Sequence, residues 1–200
     1  MVYKRNDGNI AAKDEARTPP ELISLVKQRW NFTIDIAANE KNAIVPAYIR
    51  KEFFGGKGFL SDDANLRLDD VAWCNPPYSP GMIPAFVEKC RNQSLAGTII
   101  VMLLPADTST ATYHRLILGK DEYGKSIIGG GAARIIWLWP RVVFYHPEGD
   151  SMSGSPQTGS MLVEYNFELL AKNNMQPIHE SLRWKEQRCP KGKCDSEGGI

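Results

Sequence analysis

The 200-residue sequence is short of several features, and each shortage narrows the class of protein. Lys and Arg together number 24 against 23 Asp and Glu, so the formal charge is +1 and the basic excess typical of a simple DNA-binding protein is missing. No apolar run approaches the length of a membrane span, and the polar stretch 1–16 lacks the apolar core of a signal peptide. We therefore predict a soluble, cytoplasmic protein with no membrane partner.

Cysteine and histidine are too sparse to indicate a metal site. Cys74 and Cys90 lie among apolar residues and are interpreted as reduced core residues, whereas Cys189 and Cys194 flank a polar stretch. A structural zinc site needs a second pair of ligands at similar spacing, and the sequence has none. The three histidines are scattered and are interpreted as surface or structural residues. We predict no metal.

Glycine and proline divide the chain into alternating helices and strands. Residues 18–30 begin with Thr-Pro-Pro-Glu, which predicts a helix with Thr18 as its N-cap. An apolar run without alternation at 98–105 indicates a central strand buried on both faces. The other predicted elements are strands at 32–37, 68–73, 133–139 and 159–165, helices at 80–92 and 109–118, and a mobile glycine-rich loop at 119–131.

This order predicts an α/β fold: a mostly parallel sheet flanked by helices, with an antiparallel last strand. Residues 1–17 are predicted to form a flexible arm, 18–170 the folded domain, and 171–200 a polar, partly basic tail.

The most informative stretch is Asn75-Pro76-Pro77-Tyr78, which follows an apolar run predicted to end a strand. Neither proline has an N–H to donate, so the sheet ladder stops there and the backbone is stiffened. Asn75 offers an amide oxygen, the Pro76 carbonyl a second acceptor and Tyr78 an aromatic face. This set suits a planar group that carries an exocyclic amine. The alternative is a proline-rich turn with an incidental tyrosine.

The motif resembles the catalytic loop of S-adenosylmethionine-dependent amino methyltransferases, which act on adenine N6, cytosine N4 or a protein glutamine amide. Thr18-Pro19, the strand end at 35–38, the motif at 73–79 and the strand end at 103–108 follow one another in an order similar to that of the phage-encoded DNA N6-adenine methyltransferases, the phage Dam family. The resemblance covers roughly residues 18–165. It implies a Rossmann-like methyltransferase fold, S-adenosyl-L-methionine as cofactor, double-stranded DNA as partner and, for a phage protein, the host cytoplasm.

The resemblance also implies a set of cofactor contacts. Thr18 and Pro19 would contact the methionine end, and Asp35 would accept from the α-ammonium. Ala37 lies where a generic dinucleotide-binding fold has Gly-x-Gly, so the cofactor must approach a small side chain there. Asn42, a few residues later, is a further implied cofactor contact. The alternative for Asp35 is a helix cap or a surface acid.

Two further acidic positions are assigned to the same crevice. Asp62 or Asp63 would grip the ribose hydroxyls or the adenine amine of the cofactor; the sequence does not choose between them, and a solvated turn is the alternative. Asp107 follows the predicted central strand, where polar residues face the ligand crevice of an α/β sheet. It is also a candidate to cap the helix predicted at 109–118.

A base in duplex DNA must be flipped out to be methylated. We predict that Tyr78 stacks on it with Ser79 alongside, that Phe144 forms a second wall, and that Arg141 contacts the DNA from a Gly- and Ser-rich loop at 141–158. A solvated hairpin loop is the alternative.

The predicted function is therefore that of a site-specific or low-specificity DNA adenine N6-methyltransferase, since the chain leaves no room for a separate target-recognition domain. The alternatives are methylation of cytosine N4, of RNA adenine or of a protein glutamine, or a non-catalytic nucleic-acid-binding module. The intact Asn75 and Tyr78 argue against the last.

Overall fold

The structure is a computed structural model, and it describes residues 16–50, 52, 56–146 and 158–185. Within these ranges the strands are β1 (Ile34–Asp35), β2 (Val71–Cys74), β3 (Ile99–Pro105), β4 (Leu118–Lys120), β5 (Ser126–Gly131), β6 (Arg134–Trp139), β7 (Ser160–Tyr165) and β8 (Ile178–Arg183). The α-helices are α1 (Pro20–Arg29), α2 (Met82–Leu95) and α3 (Phe167–Lys172), with a 3-10 turn at Gly58–Leu60 and a π-helical turn at Tyr113–Ile117.

Six strands form one sheet in the order β1-β2-β3-β7-β6-β8. β1, β2 and β3 pair in parallel and β8 is parallel to β6, whereas β7 runs antiparallel to both of its neighbours. The predicted α/β fold with a mainly parallel sheet is thus confirmed. The antiparallel strand is the one predicted near 159–165, but it lies inside the sheet and a further strand follows it in the chain.

β3 shows how the sheet builds a core on both of its faces. Successive side chains of a strand point to opposite faces. Ile100, Met102 and Leu104 pack into one cluster with α2, and Val101 and Leu103 pack into the other with α1. Because both faces are covered, these side chains are all buried and the strand has no polar alternation, as the sequence predicts.

The glycine-rich stretch 119–131 is a β-hairpin rather than the mobile loop that its composition predicts. β4 and β5 pair antiparallel. Gly119 has a φ of +63°, and a Cβ added there would lie 2.5 Å from the backbone nitrogen of Gly131. The glycines therefore allow two backbones to approach closely, a use of glycine that composition cannot distinguish from flexibility.

The short helix predicted at 109–118 is present over 111–117, but most of it is π-helical. The chain makes a short turn that continues as the π-helix Tyr113–Ile117 and passes directly into β4. The carbonyl of Leu116 accepts from the Tyr165 hydroxyl at 2.9 Å, and the carbonyl of Ile117 accepts from the Ala132 N–H at 2.8 Å. These partners, one in β7 and one between β5 and β6, take up carbonyls that a longer helix would use.

The boundary predicted at residue 170 is too early. α3 extends to Lys172, and β8 pairs with β6 from Ile178 to Arg183. β8 alternates half-buried and exposed positions because it is an edge strand, and its polar residues hide it in the sequence. Most of the arm predicted at 1–17 and the second half of the tail predicted at 171–200 lie outside the described residues, which begin at 16 and end at 185.

Candidate active site

The loops that follow β1, β2, β3 and β6 leave the sheet at one end, because those strands run in the same direction. That end, at the carboxyl ends of the strands, is where α/β sheets bind ligands. It carries most of the predicted site residues, namely Asp35, Ala37, Asn42, Asn75, Pro76, Pro77, Tyr78, Ser79, Asp107, Arg141 and Phe144.

Asn75 is the first residue after β2, and its amide is hydrogen-bonded on one side. Its Nδ2 donates to the Thr18 hydroxyl at 3.4 Å. Its Oδ1 is buried and has no hydrogen-bond partner among the described residues. Buried acceptors are nearly always satisfied, so an unused one at a ligand-binding edge calls for a donor from outside the chain. Pro76, which follows, is buried and carries no N–H.

Tyr78 and Phe144 meet edge to face, although they belong to loops that follow different strands. Their ring centroids are 6.0 Å apart and their planes cross at 85°. Burial raises the pKa of the Tyr78 phenol well above its ordinary value, so the hydroxyl stays protonated at neutral pH.

The segment that precedes α1 is tied to the loop after β6. Arg17 and Tyr145 exchange two backbone hydrogen bonds, both of 2.9 Å, and the Arg17 Nε donates to the carbonyl of His146 at 3.2 Å. Thr18, next in the chain, is not the predicted N-cap: α1 begins at Pro20 with Pro19 as its N-cap, and no side chain caps the helix.

Asp35 ends β1 and its carboxyl group is buried, with only 2% of the residue exposed. One carboxyl oxygen accepts from the Ala37 N–H at 3.3 Å and the other from the Ile44 N–H at 3.1 Å. Burial raises the Asp35 pKa from 3.8 to about 7, and these two backbone hydrogen bonds oppose the shift. The group is therefore neither a surface acid nor a helix cap; it organises the loop from 36 to 44.

Within that loop, Ala37 and Asn42 differ in burial and in hydrogen bonding. Ala37 is half-buried beside the Asp35 carboxyl. Asn42 closes a turn, because its Oδ1 accepts from the Asn39 N–H at 2.6 Å and its own N–H donates to the Asn39 carbonyl at 3.3 Å. Asn42 thus shapes the backbone of the loop after β1.

Asp62 and Asp63 lie on the exposed surface of a turn that packs along α2. Lys89 of α2 holds this turn: its Nζ donates to the carbonyl of Ser61 and lies over the Phe59 ring at 5.1 Å. Desolvation lowers the Lys89 pKa, and the charges of Asp62 and Asp63 oppose that shift. The predicted acids are thus placed beside a cation of the chain itself.

Asp107 folds back on its own loop. Its carboxylate accepts from the Ser109 hydroxyl at 2.7 Å and from the Ser109 N–H at 3.1 Å, and these bonds lower its pKa. The side chain is exposed, as is that of Arg141 on the loop after β6. Part of the predicted DNA-facing loop, residues 147–157, lies outside the described residues.

A polar cavity of about 370 Å³ lies at the opposite end of the sheet and contains none of the predicted site residues. Arg134 begins β6 there, and it pairs with Glu164 at 3.3 Å and with Glu180 at 3.0 Å. Glu180 also pairs with Arg29 of α1 at 2.7 Å. Because its cations are matched with carboxylates of the chain, we interpret this cluster as a structural link between α1, β6, β7 and β8.

The described residues hold neither a metal-binding cluster nor a helix that could span a membrane. No cluster of three or more His, Cys, Asp or Glu side chains there is arranged to hold a metal ion. None of the helices in those ranges combines the length and apolar character required to cross a bilayer.

Sequence reasoning missed the residues that brace the site. Arg17 falls in the stretch predicted to be a flexible arm, no pattern in the sequence marks Lys89, and the Asn75 amide is bonded to Thr18, 57 positions away. No local pattern marks such contacts, since they arise only when separate loops meet at the end of the sheet.

Comparison with known proteins identifies the family of this chain. Residues 7–163 match the model of the family described as DNA N-6-adenine-methyltransferase (Dam). A DNA N-6-adenine-methyltransferase of Escherichia phage T1 is 33% identical over 137 residues, which cover 68% of this chain and 49% of that relative. The chain thus spans about half the length of that relative. No solved structure matches the chain. The resemblance drawn from the motifs is confirmed: this chain belongs to the DNA N-6-adenine-methyltransferase (Dam) family.

Proposed function

We propose that the protein transfers a methyl group from S-adenosylmethionine to the N6 amine of an adenine flipped out of double-stranded DNA. Family membership supports the reaction class, and the relative in phage T1 carries that activity in its name. The single observation that carries the proposal is the buried Asn75 Oδ1, which has no hydrogen-bond partner among the described residues.

The adenine amine is a weak nucleophile because its lone pair is delocalised into the ring. The Asn75 oxygen and the Pro76 carbonyl would each accept one N–H of this amine and stabilise the positive charge that develops on the nitrogen during transfer. The two prolines limit the motion of these acceptors, so little reorganisation is needed as charge develops. In this proposal Tyr78 is the stacking platform, with Ser79 alongside, and Phe144 and Arg141 on the loop after β6 contact the base and the DNA.

The residues after β1 fit a cofactor that carries an ammonium group. Asp35 has a buried carboxyl at the ligand-binding end, and each of its oxygens has one backbone donor and room to accept a second. A cation beside it would favour the ionised form, which burial alone disfavours. Pro19, Ala37, Asn42 and one of Asp62 and Asp63 stay as proposed cofactor contacts, whereas the Thr18 hydroxyl, which the resemblance assigns to the cofactor, is bonded to the Asn75 amide. When bound, S-adenosylmethionine supplies an electrophilic methyl group.

The test is to incubate the protein with labelled S-adenosylmethionine and unmethylated duplex DNA and to identify the methylated nucleoside by mass spectrometry. We expect N6-methyldeoxyadenosine. Asn75→Ala should reduce kcat by about 10²-fold or more while the cofactor Kd stays nearly constant, because the lost contact matters most in the transition state.

Other outcomes would redirect or reject the proposal. Methylation of cytosine N4, of RNA or of protein in place of DNA adenine would identify one of the alternative acceptors. An Asn75→Ala protein that keeps more than about half of the wild-type kcat would show that this amide is not the acceptor.

A further inference from the structure

We infer that Thr18 is a positioning residue for the acceptor amide: its hydroxyl holds the plane of the Asn75 side chain so that Oδ1 can receive the substrate amine. The inference rests on the proposed function. Thr18 Oγ1 accepts from Asn75 Nδ2 at 3.4 Å, and Thr18 is buried, with 6% of its surface exposed. The opposite end of the same amide is the unsatisfied Oδ1.

The hydroxyl is available for this contact because the start of α1 does not use it. A Thr before a helix ordinarily accepts from a backbone N–H of the first turn. Here two prolines follow, Pro19 is the N-cap, and the helix has no side-chain cap. Neither proline can donate to the hydroxyl, since neither has an N–H. The Thr18 side chain is thus free to face the loop after β2.

The residues on either side of Thr18 are fixed by backbone hydrogen bonds, and this restricts the position of its hydroxyl. Arg17 before it is bound to Tyr145 through two backbone hydrogen bonds. The carbonyl of Pro19 after it accepts from the Ile23 N–H at 3.0 Å, and α1 is anchored by the fully buried Leu22. The segment therefore connects the Asn75 amide to the loop that carries Phe144.

The chemical consequence concerns rotation of the amide about χ2, a torsion with broad preferences of its own. With Nδ2 against the Thr18 hydroxyl, Oδ1 points to the other side, where an amine can donate to it. Without the hydroxyl, the NH₂ group loses its acceptor, and the amide can turn to present N–H groups instead of oxygen. Turnover should then fall, whereas cofactor binding should not change.

This role differs from the cofactor contact that family resemblance implies for Thr18, and the two roles predict different measurements. A cofactor contact predicts a higher cofactor Kd when the hydroxyl is lost. A positioning role predicts a lower kcat at saturating cofactor and DNA, recovered when a hydroxyl is restored, and absent when Asn75 has no amide to orient.

The experiment compares Thr18→Val, which has the shape of Thr without the hydroxyl, with Thr18→Ser, which keeps the hydroxyl. Both are made in the wild-type and the Asn75→Ala backgrounds, and kcat, cofactor Kd and Tm are measured. We expect Thr18→Val to lower kcat about 10-fold and Thr18→Ser to stay within about 3-fold of wild type, with cofactor Kd within about 2-fold for both. In the Asn75→Ala background, Thr18→Val should cause no further loss.

Each other outcome overturns a specific claim. The inference fails if Thr18→Val lowers kcat equally in both backgrounds, if it raises the cofactor Kd without lowering kcat, or if it unfolds while Thr18→Ser stays folded. An inactive Asn75→Ala protein combined with a fully active Thr18→Val protein would overturn this inference alone. An active Asn75→Ala protein would instead overturn the proposed function.

Discussion

At the scale of single residues, Asp35 and Asn75 differ in how their side-chain oxygens are satisfied. Both Asp35 oxygens accept backbone N–H groups, whereas the Asn75 Oδ1 has no such partner in the described part of the chain. A buried acceptor left without a donor costs about 1–3 kcal/mol. The unpaired Asn75 oxygen therefore lowers the stability of the fold. Such a cost is expected at a site where a ligand supplies the missing donor.

The proposed stacking of a base on Tyr78 can be tested with two substitutions of different severity. Tyr78→Phe keeps the ring, so the single-turnover rate should stay within about 3-fold of wild type. Tyr78→Ala removes a stack worth about 1–3 kcal/mol and should lower DNA affinity by about 5- to 150-fold. Phe144→Ala is the matched control for loss of the edge contact, and we expect a smaller effect there.

The same variants should respond to the pairing of the target base. An adenine opposite a mismatch or an abasic position is already unpaired, so flipping it out requires less free energy, and such duplexes should partly rescue Tyr78→Ala. Affinity and rate are measured on matched and mismatched duplexes. Equal losses for Phe and Ala at position 78, with no benefit from mismatches, would mean that Tyr78 serves only the fold.

The residues of the motif could be predicted because they are contiguous and each carries its chemistry in its side chain or in the backbone. The contacts that hold these residues in place could not be predicted from the sequence. The contact between Thr18 and Asn75 depends on how α1 is placed against β2, and the exchange between Arg17 and Tyr145 joins segments 128 positions apart.

At the scale of elements, some strands could be predicted from their own residues and others could not. β3, β6 and β7 are recognisable since burial on both faces requires continuous apolar runs. β8 is a polar edge strand that pairs with β6, far from it in the chain, and so its own residues do not mark it. The β4–β5 hairpin is local, but its glycines are equally typical of a loop.

The hairpin interpretation is tested by two glycines that both have positive φ. Gly119 faces the Gly131 backbone, with 2.5 Å to an added Cβ, whereas Gly124 at the turn, with φ +77°, has nothing within 4 Å. Both alanine substitutions incur the left-handed backbone penalty of about 1–2 kcal/mol. Gly119→Ala should reduce the free energy of unfolding by about 1–3 kcal/mol more than Gly124→Ala, because it also overpacks the hairpin.

Urea unfolding of both variants measures this difference. Equal losses would show that 118–131 is loosely packed and that Gly119 serves backbone conformation alone.

At the scale of the whole molecule, Asp35 should make stability depend on pH. Its pKa is raised from 3.8 to about 7 by burial, so the contribution to stability is complete below about pH 4 and is lost as pH rises through about 7. Asp107 and Glu168, whose pKa values are lowered by hydrogen bonds, act in the opposite sense and only at acid pH. Between pH 5 and 8, wild type should therefore lose about 2.6 kcal/mol of the free energy of unfolding through Asp35.

Asp35→Asn provides the control for this pH dependence. It cannot ionise, so its stability should lack this decline, although its NH₂ group opposes one backbone donor and lowers stability at every pH. The measurement is the free energy of unfolding of both proteins in urea at pH 5, 6, 7 and 8. Parallel curves for the two proteins would mean that Asp35 keeps the same protonation state when the chain unfolds.

The placement of β7 between β3 and β6 has a consequence for synthesis on the ribosome. β1, β2 and β3 are complete when residue 105 has emerged, but the outer edge of β3 receives its partner only with residues 160–165. At about 5–20 residues per second, a nascent chain holds that apolar edge open for roughly 3–11 s. Unpaired edges of this kind attract other chains. Translation speed between codons 106 and 160 should thus influence how much of the protein reaches the native state.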